Sequence, residues 1–264
     1  MEALLRDIAA KKAELDRLKP LAPGGLSNLE HSHDIELTYT SNAIEGNTLT
    51  AVETTLVIEH GITVAGKPLR DHLEAIDHYE AIRFVRDVAR REAPITETDL
   101  RGLHRLVVLR SHPEIAGQYA DQGRYVLTAA GRHAFPSPAE VPALMGDLVA
   151  WLRAAPATPA TAFTAHRRLV DIHPFNDGNG RTARLLMNRI LIGGGYPPVA
   201  VRPEDRPAYI RALQQEPGAP AFDRLLYERL DATLGEYLSA LREALPAPNA
   251  PASRPDGAAE SNGY

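Results

Sequence analysis

The stretch from His173 to Ile190, HPFNDGNGRTARLLMNRI, places reactive and anion-binding residue types directly before an apolar run with helical spacing. Gly178 and Gly180 permit backbone conformations closed to other residues, and they let the chain approach a ligand closely. Asn179 is a good N-cap, so the helix it opens would direct free N–H groups and a positive dipole end at the turn. The sequence therefore predicts an anion site at this helix start.

The charged side chains around that turn suit a nucleoside triphosphate. Arg181 and Arg184 are three residues apart and share a helix face, and guanidinium groups match phosphate oxygens in pairs. Asp177 offers an oxygen ligand for Mg²⁺ between phosphates. His173 can accept a proton near pH 7, whereas Phe175 fits better as an apolar pin that fixes the loop. A triphosphate, a magnesium ion and a base together indicate transfer onto a hydroxyl.

A second motif lies upstream, in TSNAIEGNTLT from Thr40 to Thr50. Ser41 and Glu45 are four residues apart and share one face near the end of a predicted helix. A carboxylate there faces the negative end of the helix dipole, so it needs a cationic partner. Taken alone, the pattern also describes a surface glutamate beside a C-capping glycine, Gly46.

Apolar spacing and capping residues predict that helices position these motifs. Thr50 with Glu53 is predicted to start a helix as a capping box, and Thr96 with Asp99 is predicted to start another helix. Tyr125–Thr128 is β-prone and indicates a small hairpin or flap. Helices are expected over about 4–18, 29–44, 70–91, 96–109, 139–153, 160–171, 179–192, 207–215 and 221–244, with one more that begins after Thr50. The fold class is therefore all-α, with one small β-hairpin flap.

Composition narrows the possible functions. A chain of 264 residues, 44% hydrophobic and 24% charged, can bury the core of one domain. A net charge of -5 gives no basic field for nucleic acid or anionic lipid. The absence of cysteine excludes disulfides, thiolate metal sites and a cysteine nucleophile. No apolar leader or membrane-length segment is evident, so we expect a cytoplasmic protein.

Three segments are expected along the chain. Residues 1–28 form an N-terminal helix and linker, and residues 29–244 form the main domain, with the Glu45 motif on a helix of about 29–45. Residues 245–264 are poor in large apolar side chains and are predicted to be disordered.

The segment HPFNDGNGRTAR, His173–Arg184, resembles the His-Pro-Phe-x-(Asp/Glu)-Gly-Asn-Gly-Arg-x-x-Arg motif of the Fic family at every position. The resemblance implies a mostly helical domain that transfers AMP from ATP, with Mg²⁺, to a hydroxyl of a target protein. It implies that His173 is the catalytic base and Asp177 the Mg²⁺ ligand. It assigns the remaining motif residues to phosphate binding: Gly178, Asn179 and Gly180 as the anion hole, Arg181 as a clamp, and Arg184 as the contact to the γ-phosphate.

The Ser41–Gly46 segment is similar to the inhibitory helix of Fic proteins that carry it N-terminal to the catalytic motif. The resemblance implies that Glu45 pairs with Arg184 and takes the place of the γ-phosphate, so the chain would inhibit itself. Three alternatives remain at this point, and the first is transfer of another nucleotide or of phosphate by the same site. The other two concern Glu45. A released Glu45 would orient a water for removal of AMP from modified proteins, or a permanent Glu45–Arg184 pair would leave a catalytically silent binding module.

The resemblance to the Fic family also implies that the flap pairs edge-to-edge with an extended target segment. We place that edge at Val126, Leu127, Thr128 and Ala129, which we also count among the nucleotide-binding residues. Tyr209 is a candidate for stacking near adenine, and a core tyrosine is the alternative. The expected partners are ATP and an unknown target protein with a Tyr, Thr or Ser hydroxyl, including the protein itself.

Two weaker patterns compete with this interpretation. Gly61–Lys67 satisfies most of a P-loop pattern, but Pro68 replaces the Ser/Thr that binds Mg²⁺, and a helix rather than a strand is predicted before it. His31, His33 and Asp34 suggest a metal site, yet no further ligand spacing supports one, so a solvated face is expected.

Overall fold

The computed structural model describes residues 1–21, 23–91, 93–128 and 131–245, and over these residues it is built from helices and a single hairpin. This confirms the predicted fold class. The helices are α1 (Glu2–Leu18), α2 (Pro23–Ile44), α3 (Ala51–His60), α4 (Leu69–Ala89), α5 (Glu97–Val108), α6 (Val141–Ala154), α7 (Pro159–Ile172), α8 (Asn179–Gly193), α9 (Arg206–Leu213) and α10 (Pro220–Ala244), and the strands are β1 (Tyr125–Thr128) and β2 (Gly131–Ala134).

Helix α8 lies at the centre of the fold. It packs against α7, α4 and α5, and its side chains from Arg181 to Asn188 are all buried. Leu186 and Met187 belong to the main hydrophobic core, while Leu185 faces a second cluster built with α4 and α5. A helix buried on all sides has little freedom to shift, so the turn at its N-terminus is held in a fixed place.

Helix α2 begins earlier than the sequence predicted. The expected linker around Gly24 and Gly25 is instead the first turn of α2, which opens with Pro23. Proline is favoured in the first turn of a helix, because the missing N–H has no intrahelical partner there. A Cβ on Gly25 would lie 2.6 Å from the Cβ of Ala244. The glycine therefore serves close packing of α2 against α10 rather than a break in the chain.

The capping box predicted at Thr50 is present, and the helix start predicted at Thr96 has a capping box as well. Thr50 accepts a hydrogen bond from the Glu53 N–H (3.2 Å), and the Glu53 carboxylate accepts one from the Thr50 N–H (2.7 Å). Thr96 and Asp99 make the same reciprocal pair at the start of α5. These side chains satisfy backbone donors that the first turn would otherwise leave unpaired.

The flap is an antiparallel hairpin in which Tyr125 pairs with Ala134 and Thr128 with Gly131. Most of its side chains are exposed, and that of Leu127 is 78% exposed. Ala129, predicted as part of the flap edge, lies outside the described residues, as does the predicted disordered tail beyond Leu245. Across the described part of the chain, the helices are too short or too polar to cross a bilayer.

Candidate active site

His173 lies immediately after α7, in a left-handed backbone conformation (φ 50°). It is the only non-glycine residue with positive φ among the described residues. Its N–H donates to the Leu169 carbonyl (3.0 Å) and ends the helix. Such strain in a non-glycine residue persists only where the surroundings impose it, which is typical of functional sites.

The imidazole of His173 is held neutral with one nitrogen available. Nδ1 lies 3.3 Å from the Val170 carbonyl, which can only accept, so Nδ1 carries the proton and Nε2 is left as the basic nitrogen. Burial lowers the pKa of His173 to about 4. The ring of Phe135 stacks on it, with centroids 3.8 Å apart and planes 11° apart. His173 is therefore an unprotonated base at neutral pH.

The loop between α7 and α8 is pinned by Phe175 and Asn179. The Phe175 side chain is fully buried, as its predicted role as an apolar pin requires. The Asn179 amide accepts from the Phe175 N–H (2.9 Å) and donates to the Phe175 carbonyl (2.8 Å). Asn179 is the first helical residue of α8 rather than its N-cap, which is Gly178 in a left-handed conformation (φ 75°). The correction follows from the side chain, which reaches back to the loop instead of capping N–H groups.

His104 also holds this loop, although no sequence motif marks it. Its ring is fully buried and stacks on Phe175, with centroids 3.7 Å apart. Nε2 donates to the Asp177 carbonyl (3.0 Å), and Nδ1 accepts from the Gly117 N–H (3.0 Å). One neutral tautomer satisfies both bonds, and burial lowers the pKa of His104 to about 4. The signal that could have found it is its place on the buried face of α5.

Arg181 and Asp177 lie together at the start of α8. The Arg181 side chain is buried, with Nη2 3.2 Å from Asp177 Oδ2 and Nη1 3.4 Å from Glu74 Oε1. Its Nε is buried without a hydrogen-bond partner among the described residues. The carboxylate of Asp177, by contrast, is 52% exposed. The pair thus combines a buried cation that has unused donor capacity with an accessible anionic oxygen.

The two sequence motifs meet at Arg184. Its Nε donates to Ser41 Oγ (2.9 Å), and its Nη2 donates to the Ser41 carbonyl (2.9 Å) and to Glu45 Oε1 (2.7 Å). The guanidinium is buried, whereas the Glu45 side chain is 39% exposed. Three hydrogen bonds therefore hold Arg184 against the end of α2.

The Glu45 carboxylate also reaches the start of α8. A Cβ built on Gly180 would overlap Glu45 Oε1 and lie 3.0 Å from Arg184 Nη1. Glycine at this position therefore leaves the space that the carboxylate occupies. An anion between a helix N-terminus and an arginine is where a phosphate would be stabilised.

The end of α2 is fixed by residues from distant parts of the chain. Arg206 Nε donates to the Ile44 carbonyl (2.6 Å), and Gly46 turns the chain with φ 98°. Asn47 donates to Glu74 Oε2 (2.9 Å), and Glu74 in turn faces Arg181. Glu74, which carries no sequence motif, thereby links the segment after Glu45 to Arg181.

Tyr209 lies in the core, which is the alternative to adenine stacking. It is 1% exposed, and its hydroxyl lies 2.8 Å from His166 Nε2. Because Tyr209 lies on the side of α9 that packs into the core, its ring has no exposed face on which adenine could stack.

The competing patterns take other roles. Gly61–Lys67 follows helix α3 rather than a strand, and Lys67 is engaged with Glu53 (3.3 Å), so the P-loop requirement fails. His33 and Asp34 are buried rather than solvated: His33 contacts Tyr237 (3.0 Å) and Asp34 pairs with Arg86 (2.7 Å). The prediction of a solvated face was therefore wrong for these two residues. Asp34 is buried because Arg86, on another helix, supplies a buried cationic partner.

The residues at Asp177 can be tested against a magnesium site. The described residues contain no cluster of three or more His, Cys, Asp or Glu side chains suited to a metal. Mg²⁺ beside a nucleotide commonly takes one or two carboxylates, with phosphate oxygens and waters as its other ligands. One accessible carboxylate next to an anion site fits that donor set.

This chain is similar to known proteins in both sequence and structure. Residues 94–191 match the Fic/DOC family. A Fic domain containing signaling protein from Bacteroides thetaiotaomicron has the same fold, with a TM-score of 0.83 and 32% identity over 90% of this chain and 97% of that one. Fic-1 from C. elegans gives a TM-score of 0.78 and 30% identity over 90% of this chain and 71% of that one. The chain therefore belongs to the Fic family.

Curated relatives carry an activity in their names. The protein adenylyltransferase Fic of Nematostella vectensis is 36% identical over 208 residues, or 76% of this chain and 48% of that relative. The protein adenylyltransferase Fic of Drosophila willistoni is 33% identical over 243 residues, 90% of this chain and 48% of that relative. The chain thus spans about half the length of the curated relatives it matches.

Proposed function

We propose that this protein transfers AMP from ATP to a hydroxyl of a protein, and that Glu45 restrains the reaction. The observation that carries the proposal is the position of the Glu45 carboxylate. It lies against Gly180 at the start of α8 and 2.7 Å from Arg184. The chain places its own anion in a site built for anions, beside a neutral histidine.

In the proposed reaction, His173 Nε2 removes the proton from the target hydroxyl. The oxygen then attacks the α-phosphorus of ATP, a new P–O bond forms, and the bond from that phosphorus to the bridging oxygen breaks. Pyrophosphate leaves, and the proton stays on the imidazole until it passes to solvent. The lowered pKa of His173 keeps the base unprotonated before each turnover.

The arginines and the backbone of α8 supply the phosphate contacts in this proposal. Arg181 has a buried Nε without a partner in the described part of the chain, so it has donor capacity for a phosphate oxygen. Asp177 would hold Mg²⁺, which when bound offsets negative charge between phosphates. Gly178 and Gly180 leave room for close approach of the phosphates.

The restraint follows from competition for Arg184. Its guanidinium donates to Glu45 and Ser41 in this structure, and a γ-phosphate would need the same donors. While Glu45 holds that position, ATP binds poorly or in a pose unfit for transfer. This position of Glu45 favours a restrained enzyme over a silent module, because the base beside it remains complete.

Replacement of Glu45 by glycine tests the proposal. Glu45→Gly should raise AMP transfer, including self-modification, ten-fold or more, since each 1.4 kcal/mol or so of released competition is worth about a factor of ten. The measurement is incorporation of label into protein from α-labelled ATP, with γ-labelled ATP to detect phosphorylation instead. Glu243→Gly is a matched control, because it removes an exposed carboxylate from the last turn of α10.

Three results would contradict parts of the proposal. Label from the γ-phosphate alone would make the protein a kinase. No label with either nucleotide would favour a binding module. An unchanged or lower rate in Glu45→Gly would show that Glu45 does not restrain transfer, and release of AMP from pre-modified protein would then assign it to hydrolysis.

A further inference from the structure

Among the described residues, the segment that follows the flap contacts His173, the proposed catalytic base, through an aromatic ring. Phe135 follows β2 directly, and its ring lies parallel to the His173 imidazole, with centroids 3.8 Å apart. Phe135 is half-buried, whereas the strand residues before it are exposed. The contact therefore lies at the base of the hairpin, between the exposed strands and the catalytic loop.

Among the described residues, the His173 ring makes one side-chain hydrogen bond, from Nδ1 to the Val170 carbonyl. The Nδ1 bond to Val170 is long, at 3.3 Å. Rotation of an imidazole about its last side-chain torsion is soft, because the wells for such sp³–sp² torsions are broad. A flat ring stacked against one face limits this rotation, and it also shields that face from water.

Phe135 is in turn fixed by the hairpin. Its N–H donates to the Arg124 carbonyl (3.0 Å), which extends the ladder one pair beyond Tyr125 and Ala134. Arg124 Nη2 donates to the Pro136 carbonyl (2.8 Å), so a second hydrogen bond joins the two sides of the hairpin at this end. The position of Phe135 is therefore tied to the paired end of the hairpin by hydrogen bonds on both sides of its backbone.

We propose that Phe135 is a positioning residue that sets the orientation of His173 and couples the flap to the base. The inference rests on the proposed transfer activity and deepens it. A target segment that pairs with the flap orders the hairpin, the hairpin holds Phe135, and Phe135 keeps Nε2 directed at the hydroxyl. The base is then oriented best when a target is present.

The test compares three variants in the Glu45→Gly background. Phe135→Leu removes the flat ring and keeps an apolar side chain, Phe135→Tyr keeps the ring, and Leu127→Ala alters the same hairpin at an exposed side chain. At saturating ATP, Phe135→Leu should slow self-modification roughly ten-fold, within the range known for misplaced reacting groups. The half-saturating ATP concentration should stay the same, and Phe135→Tyr should retain the parent rate.

A second readout does not depend on activity. In NMR spectra, the ring protons of His173 should carry an upfield ring-current shift that Phe135→Leu abolishes and that Phe135→Tyr and Leu127→Ala retain. Equal rates in Phe135→Leu and its parent, or unchanged His173 signals, would overturn the inference. A slower rate with a raised ATP requirement would also overturn it, since Phe135 would then act in nucleotide binding. If the parent transfers nothing, the proposed function fails, and the NMR comparison still decides whether the ring of Phe135 stacks on His173, without which the inference fails too.

Discussion

The loop between α7 and α8 and the flap meet at His173, yet different contacts hold each of them in place. The loop from His173 to Asn179 is bonded on both sides of Phe175 and backed by the buried ring of His104. The hairpin from Tyr125 to Ala134 has mostly exposed side chains, and backbone pairing is its main support. Many interlocking contacts favour precise chemistry, and exposed strands favour pairing with a partner chain. The contrast predicts that loop variants lose turnover, whereas variants at the exposed side chains of the hairpin strands lose target recognition.

The largest effect is expected at the base. His173→Ala in the Glu45→Gly background should lower AMP transfer by at least about 10²-fold, the usual scale for loss of a general base. Nucleotide binding, measured by calorimetry, should change little, because the phosphate contacts come from α8. Transfer at near the parent rate would remove His173 from the mechanism and weaken the contrast between the loop and the flap.

A smaller loss is expected at Asp177. Asp177→Ala should shift the magnesium titration of transfer to higher concentration and lower the maximal rate about ten-fold, since a metal that offsets phosphate charge is worth several kcal/mol. Asp121→Ala is a suitable control: Asp121 is exposed and bonds Asn176 in the same loop (3.1 Å). If Asp177→Ala kept the magnesium curve of the parent, the metal ligand would have to lie elsewhere.

His104 tests whether the loop depends on its buried support. His104→Leu leaves the Asp177 carbonyl and the Gly117 N–H without their partner, at a cost of about 1–3 kcal/mol for each buried group, so the melting temperature should fall. The folded pKa of about 4 lies below the ordinary value of 6.5, so the unfolded chain takes up this proton first as the pH falls. The wild type therefore loses stability between pH 6.5 and 4.

His104→Leu lacks this titrating imidazole. The difference in the free energy of unfolding between wild type and variant should therefore narrow as the pH falls from 6.5 to 4. Chemical denaturation at about pH 7 and about pH 5, on either side of the ordinary histidine pKa, measures the change. If the difference in the free energy of unfolding were the same at both pH values, His104 would not be buried in its neutral form.

The smallest effect on the molecule itself is expected at the flap tip. Leu127→Ser should leave the free energy of unfolding within about 0.5 kcal/mol of the parent, as is usual for exposed positions. Labelling of other proteins in a lysate should nevertheless fall, because the flap is proposed to bind the target. Unchanged labelling together with a lower melting temperature would contradict this prediction, because the flap would then stabilise the fold rather than bind the target.

Local patterns predicted much of this molecule. The capping residues Thr50 and Thr96 marked helix starts that the structure contains, because a capping box depends on residues only three apart. The β-prone run at Tyr125 predicted the hairpin for the same local reason. The prediction of a linker at Gly24 and Gly25 was wrong, because the packing of Gly25 depends on α10, at the far end of the described chain.

The sequence by itself determined the chemical groups at the site, because the segment from His173 to Arg184 forms one turn and the start of the following helix. Tertiary structure alone decided what surrounds them. It brought Glu45 to Arg184 across 139 positions of sequence, and it set Phe135 on His173. It also gave His104 its place beneath the loop. Such contacts arise from the packing of helices around a shared core, and no short-range pattern along the chain specifies which faces will meet.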